Sequence, residues 1–489
     1  MYRALSFGAA ASLLLRAASA QCTVGPSIWV GGKVPINVSA ESADGAFTAS
    51  AAGAWQNAPG KHFENGTIFL LDGSPGIYGT INAKCSQIVW NDGVGSVWSR
   101  PAPTRAFNAT LSNIAARRDD TGEIMRVQDG CLQNFGGTYY LYGARYQCCP
   151  VDEQPACYQP CGWRNATFAV YSSPDLEVWH LESENILPIS TDPESPHSNS
   201  INAYFEPCVL YSKAADHYAL WFLLENTKAV AVSDTPIGPF ESVSWDVGLG
   251  QGSDTYFWLD HNDPEGTWYA KHNGAPPPGD NRGAHYVSRL SPDLLSINAS
   301  SEPMMVPALP VPPAYQGAWP SCSEGGGMFS SGGKWFVMAA VCCCFCHDGA
   351  NAFVWVADSP LGPYTLQEGS SSGLLGNVIP FNTSTGMYLT GAQQFSVAAI
   401  PRADGGEPIP MYIGQRFGSA DDGLKCHDVS PRALLYLCLC SRPSDSPSIT
   451  LSSLSTQQYQ YWSPLSVVDG VVQEMAWVNE FTVEIPVVI

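Results

Sequence analysis

Four carboxylates stand in matching places along this chain: Asp129 in Gln128-Asp129-Gly130-Cys131-Leu132, Glu206 in Tyr204-Phe205-Glu206-Pro207, Asp254 in Gly252-Ser253-Asp254-Thr255-Tyr256, and Glu324 in Ser323-Glu324-Gly325-Gly326-Gly327. Each opens a run that reads as a strand. A lone acid beside Gly or Pro is ordinarily a solvated turn residue or a local cap. Four acids in register with one repeat converge instead, and like charge with partial burial then splits their pKa values. A split pair can keep one proton for a departing oxygen while a carboxylate activates water, the requirement for cleaving a glycosidic bond.

Register needs a repeated frame, and the chain supplies one. One phrase recurs: Ser173-Pro174-Asp175-Leu176, Ser233-Asp234-Thr235-Pro236-Ile237-Gly238-Pro239-Phe240, Ser291-Pro292-Asp293-Leu294 and Asp358-Ser359-Pro360-Leu361-Gly362-Pro363-Tyr364. Its chemistry is that of a tight turn: Pro sets φ, Asp or Ser bonds its own backbone, and Gly takes conformations other residues avoid. A β-branched or aromatic strand precedes each phrase, such as Thr167-Phe168-Ala169-Val170-Tyr171, and another lies upstream, such as Thr138-Tyr139-Tyr140-Leu141-Tyr142. Met411-Tyr412-Ile413-Gly414 begins a fifth copy that closes with Gln460-Tyr461-Trp462-Ser463-Pro464-Leu465. Small antiparallel sheets repeated around an axis predict an all-β chain, a five-bladed β-propeller over residues 121–489.

Ahead of it, residues 21–120 read as a small β-rich module, with Cys22 and Cys85 as a candidate pair. Residues 1–20 have the basic Arg3, an apolar stretch and Ala18-Ser19-Ala20, the pattern of a signal peptide, so the protein is expected to be secreted. Asn-x-Ser/Thr acceptors at Asn37, Asn65, Asn108, Asn165, Asn298 and Asn382 and sixteen cysteines agree with an oxidising compartment. No later apolar run is long enough to span a bilayer. The net charge of -21, which loses two more positive charges with Arg3 and Arg16, argues against nucleic acid or an anionic membrane as partner and favours a neutral substrate.

Asp129 followed by Gly136-Gly137-Thr138-Tyr139-Tyr140-Leu141-Tyr142-Gly143 and Tyr171-Ser172-Ser173-Pro174-Asp175-Leu176-Glu177-Val178-Trp179 resembles the first blade of glycoside hydrolase family 43, over roughly residues 124–475. The resemblance implies an inverting five-bladed enzyme, with Asp129 matching its base, Asp254 the residue that tunes the acid, and Glu324 the general acid. Phe205-Glu206-Pro207, the opening Glu324-Gly325-Gly326-Gly327-Met328-Phe329 and Ala392-Gln393-Gln394-Phe395-Ser396-Val397 are most similar to the exo-β-1,3-galactanase branch. That likeness implies Glu206 as a substrate-binding residue and Gln393 as an alternative to Asp129 in assisting water. Arg416 in blade five joins the substrate-binding set. Trp319 or Tyr204 would offer a stacking face to a sugar. The chain departs from the branch at Gln128-Asp129-Gly130, at Gly326, where the branch has proline, and at Gln415 ahead of Arg416.

Other signals are read as structural. The tract Cys342-Cys343-Cys344-Phe345-Cys346-His347 suits disulfides better than zinc, since Cys148, Cys149, Cys157 and Cys161 offer partners in an exported chain. His272, His285 and His427 read as satisfied core histidines, and no cofactor or metal is expected. The leading expectation is an exo-acting glycosidase on β-1,3-galactan or a related arabinose- or xylose-containing wall glycan, polysaccharide or glycoprotein-borne. Its rivals are a sugar-binding propeller without turnover and a structural protein of a wall or scale matrix.

Overall fold

The computed structural model of the protein describes residues 104–145, 165–249, 254–275, 277–278, 283–305, 323–341, 349–368, 376–382, 384, 387–416 and 460–488, with the backbone alone of short strands between 28 and 99. At Ser323, Glu324, Val341, Met387, Gln393 and Gln394 it likewise describes the backbone without the side chain. Residues 1–20, expected to be a signal peptide, Cys22, Cys85, Trp319, the tract 342–347, the cysteines between 148 and 161, and His427 lie outside the described residues.

Two compact units divide the chain, one of residues 1–104 with 488–489 and one of residues 105–487. The first contains a three-stranded antiparallel sheet, Ile28–Val30, Val34–Ala40 and Phe47–Ala51, and a four-stranded one, Thr67–Phe69, Tyr78–Ile81, Gln87–Asn91 and Val97–Ser99.

The second unit is a five-bladed propeller of antiparallel sheets. Blade I runs from inner to outer strand as Leu132–Phe135, Thr138–Arg145, Thr167–Ser173 and His180–Ser183. Blade II is Tyr204–Ser212, His217–Leu224, Thr227–Ser233 and Glu241–Ser244. Blade III is Thr255–Leu259, Trp268–Gly274, Ala284–Leu290 and Ile297–Ser300, with Met304–Met305 also paired to its third strand. Blade IV is Ser323–Ser331, Lys334–Val341, Phe353–Ala357 and Thr365–Leu366. Blade V shows Gln393–Ile400, Ile409–Gln415 and Gln460–Pro464 among the described residues. First strands of successive blades touch one another, and that of blade V touches that of blade I, so the ring closes.

The recurring phrase is the turn between third and fourth strands, and it comes in two chemical forms. In Ser-Pro-Asp-Leu, the Ser173 hydroxyl accepts the Leu176 N–H at 2.8 Å and Asp175 accepts the N–H groups of Glu177 and Val178. Leu176 and Leu294 are left-handed (φ 68° and 61°), and an indole N–H caps each carbonyl: Trp179 at 3.0 Å and Trp221 at 2.9 Å. In the other form Gly238 and Gly362 precede cis prolines.

Core lies between blades rather than within them. Phe168, Tyr204 and Phe222 join blades I and II; Trp221 and Phe257 join II and III; Trp258, Phe329 and Tyr412 run through III, IV and V; Trp179 and Trp462 join V and I. Each buried side chain of this size contributes about 1.5–3 kcal/mol, so the interfaces hold the ring. The first and last strands of the unit add a clasp. Thr104–Ser112, which the sequence reading assigned to the N-terminal module, pairs with Glu480–Val488. Next to it, Asn113 accepts the Trp462 N–H at 2.9 Å and donates to the Trp462 carbonyl at 2.8 Å, serving the open edge of blade V as a further strand would.

Candidate functional site

Each blade's first strand presents its opening residue in a specific way, and the pairing register shows how. In blade II, Phe205 faces Leu223 but Cys208 faces Trp221, a one-residue bulge that holds Glu206. Blade IV has the same shift between Glu324, facing Ala340, and Gly327, facing Met338; blade V has it between Gln393 and Ser396. In blade I, Gln128 bridges Ala144 while Leu132 faces Leu141, again offset by one, with Asp129 inside. Blade III alone runs regularly from Thr255 to Leu259. A bulge turns side chains out of their alternation and re-aims them.

Asp129 (φ 54°) and Glu206 (φ 51°) adopt left-handed backbone, uncommon without glycine and held only where the surroundings enforce it. A disulfide enforces it: Cys131, two residues after Asp129, is bonded to Cys208, two residues after Glu206. Between them Gly130 must stay glycine, because a Cβ there would lie 1.9 Å from the Tyr142 carbonyl oxygen.

The two acids line one small cavity with Thr255, Tyr256, Ser396 and Val397, so four blades contribute to it. Its volume of about 10 Å³ is room for a single water. Glu206 is 4% exposed and Asp129 5%. Glu206 Oε2 receives Lys228 Nζ at 2.6 Å and the Thr255 N–H at 3.2 Å, and its Oε1 receives the Tyr256 hydroxyl at 3.4 Å. Lys228 is itself buried. Burial pushes the Glu206 carboxyl well above the ordinary range, the Asp254 charge pushes the same way, Lys228 opposes and Asp129 adds to the rise. The convergence of Asp129, Glu206 and Asp254 is therefore electrostatic as well as geometric.

Asp254, 8% exposed, reaches across to blade IV, where its Oδ2 accepts the Gly325 N–H at 2.8 Å. The backbone of Glu324 is thus directly beside Asp254. Lys271, fully buried on the second strand of blade III, donates to the Gly325 carbonyl at 2.5 Å and to Asn273 Oδ1 at 3.0 Å. Burial draws the Lys271 ammonium down to about 7, against the pull of Asp254 and Glu206. His272 next to it has its Nδ1 against the Asn273 carbonyl and its Nε2 against Ser288 Oγ, both at 2.9 Å. A carbonyl only accepts, so Nδ1 carries the proton of the neutral ring.

The structure therefore brings together Asp129, Glu206, Asp254 and the peptide that carries Glu324. The side chains of Glu324 and Gln393, and all of Trp319, lie outside the described residues. Arg416 stacks over the Trp477 ring at 4.9 Å, beside Tyr461 of blade V. Tyr204 is not a stacking face: it is fully buried between blades I and II, its hydroxyl bonded to the His197 carbonyl. Lys228 and Lys271 were missed by sequence reading. Their signal was a lysine inside an apolar strand, in Thr227-Lys228-Ala229-Val230 and Tyr269-Ala270-Lys271-His272, since lysine is almost never fully buried unpaired.

No family model matches the chain, and no curated protein does. Solved structures do match. An exo-β-1,3-galactanase from Phanerochaete chrysosporium, solved with β-1,3-galactotriose, superposes at TM-score 0.51 with 17% identity over 78% of this chain and 71% of that one. A family 43 β-1,3-galactosidase matches at TM-score 0.49 and 16% identity, over 77% of this chain and 64% of that one. An exo-β-1,3-galactanase from Clostridium thermocellum matches at 0.49 and 14%, over 76% and 68%. The chain spans 64% and 66% of the length of the first two solved structures it matches. What this protein shares with the solved family 43 exo-β-1,3-galactanases is the five-bladed propeller fold.

Proposed function

We propose that this protein is a secreted, exo-acting glycoside hydrolase that cleaves with inversion in β-1,3-galactan or a related arabinose- or xylose-containing wall glycan. The observation that carries the reading is the meeting of Asp129, Glu206 and Asp254, from three blades, beside the backbone of Glu324. In this reading Glu324 gives its proton to the glycosidic oxygen. Asp129, or Gln393 in its place, aligns water on the opposite face of the ring, and Asp254 orients the acid and sustains its proton by charge repulsion. Glu206 hydrogen-bonds sugar hydroxyls, with Arg416 and Trp319 completing the substrate contacts. Solved relatives in fold hold galactose and β-1,3-galactotriose, which makes a galactan the first substrate to try.

A second reading, a sugar-binding propeller without turnover, draws on the narrow cavity and on the tie between Glu206 and Lys228. One assay separates the two: sugar release from β-1,3-galactan, arabinan and xylan by the wild type and by Glu324→Gln. The hydrolase reading expects release by the wild type with the opposite anomer to the substrate bond, and a loss of about 10³-fold or more in Glu324→Gln. Glycan binding by both proteins without release by either would leave the binding module standing alone.

A further inference from the structure

Both backbone polar groups of Gly325 are engaged by blade III: its N–H by Asp254 Oδ2 and its carbonyl by Lys271 Nζ. We propose that Lys271 is a positioning residue, which with Asp254 clamps Gly325 and so fixes the stance of the Glu324 backbone; its catalytic consequence rests on the hydrolase reading above.

Three observations support the clamp. Lys271 has no exposure to solvent, and its charge is answered by Asp254 and Glu206 rather than by water. Asn273 closes the device from its own strand, its Oδ1 accepting from Lys271 Nζ and its N–H donating to the Asp254 carbonyl at 3.3 Å. Gly326 makes room for it: the residue is at φ 137°, and a Cβ there would stand 2.6 Å from Lys271 Nζ and 2.5 Å from the Met338 carbonyl oxygen. Proline cannot take that φ. A side chain at 326 and the lysine at 271 therefore compete for the same space. A buried amine with two acceptors fixes their geometry more tightly than a neutral donor, since bonds to a charged group are roughly twice as strong. Among the described residues, the other ionisable groups facing the ammonium are Lys228 of blade II and His272 and His285 of blade III.

Hydrogen exchange followed by mass spectrometry tests the clamp without reference to activity. In Lys271→Met, amides of the segment 324–329 should exchange about tenfold faster while those of 132–145 in blade I keep their wild-type rate. Unchanged exchange at 324–329 would overturn the proposal. Should the variant fail to fold, Asn273→Ala serves: it removes the side-chain acceptor of Lys271, exchange at 324–329 should quicken several-fold while 132–145 keeps its rate, and unchanged exchange at 324–329 would sink the clamp. On β-1,3-galactan, Lys271→Met should lose about 10²-fold in kcat with KM within about threefold of wild type. A wild type that releases no sugar would fail the hydrolase reading alone, leaving the exchange measurement to decide the clamp.

Discussion

At the site, blades I and II are joined by a covalent bond, whereas blades III and IV are joined by polar contacts. On the first side, Asp129 and Glu206 occupy left-handed bulges two residues before Cys131 and Cys208, and the disulfide joins those turns. On the second, Asp254 opens a strand without a bulge, and what binds it to blade IV is one hydrogen bond to Gly325 reinforced by Lys271. The contrast follows from where backbone strain lies. Two non-glycine residues in sparsely populated conformations cost about 1–3 kcal/mol each and need surroundings that over-determine them. The glycines at 325 and 326 accept positive φ (67° and 137°) at no such cost, so a network of polar contacts suffices. The covalent side should be sensitive to cross-link loss and the electrostatic side to pH.

Removal of the cross-link is expected to give the largest effect. Its half-cystines are separated by 77 residues, and closing a loop of that length in the unfolded chain is worth on the order of 4 kcal/mol. Cys131→Ala/Cys208→Ala should lower the urea midpoint accordingly, and should speed amide exchange at 128–132 and 204–208 more than at 324–329. Equal acceleration in both regions would erase the distinction between the two sides.

Next comes Lys228→Met, which strands Glu206 beside Asp254 and Asp129. Breaking a buried ion pair from one end costs about 3 kcal/mol or more when the remaining charge stays. Glu206 already holds its proton above the ordinary carboxyl range, so in the variant it is neutral at pH 5 and charged only at higher pH. The folded state then binds the proton more tightly than the unfolded chain, and its advantage is lost as pH rises through the raised pKa. Urea unfolding should show a deficit that is nearly constant between pH 5 and pH 7 and grows toward about 3 kcal/mol as pH passes about 8, where wild-type Glu206 ionises against Lys228 and the variant's carboxyl does not, and Lys228→Met/Glu206→Gln should remove that growth. A deficit independent of pH would mean that packing, not charge, holds this side.

Much of this frame was legible before any coordinates. The Ser-Pro-Asp-Leu and Gly-Pro phrases announce themselves because a turn is decided by neighbours within a few residues, as the bonds of Ser173 and Asp175 to following amides show. The acids at 129, 206, 254 and 324 were legible for the same reason, each opening a strand in step with those turns. What escaped is set by distant partners. The one-residue bulges depend on how first strands meet second strands, and blade III gives no local hint that it lacks one. Sixteen cysteines allow many pairings, and only proximity of blades I and II selects Cys131 with Cys208. Tyr204 looked like a stacking ring because its neighbours are those of Glu206, yet strand alternation points it into the core between blades.

The electrostatic side also carries the smallest expected effect, a stability loss in acid that the disulfide cannot buffer. His272 is buried, neutral and doubly bonded, and burial lowers its pKa from 6.5 to about 4. Protonation would place a cation against Lys271 and force Ser288 to turn its hydroxyl proton away. A depressed folded-state pKa gives stability that is complete above the unfolded value and declines as pH falls toward the folded one. Between pH 8 and pH 5 this single site should withdraw about 2 kcal/mol. His272→Gln, which keeps a polar side chain and cannot charge, should flatten that part of the curve even if it is less stable at pH 8. Exchange at 324–329 should follow the wild-type decline while exchange at 128–132 does not, since His272 shares its strand with Lys271 and Asn273 and the cross-link is elsewhere. A parallel decline in both segments would show that acid loosens the ring as a whole, and the separation into a covalent and an electrostatic side would then have no consequence for how this propeller holds its acids.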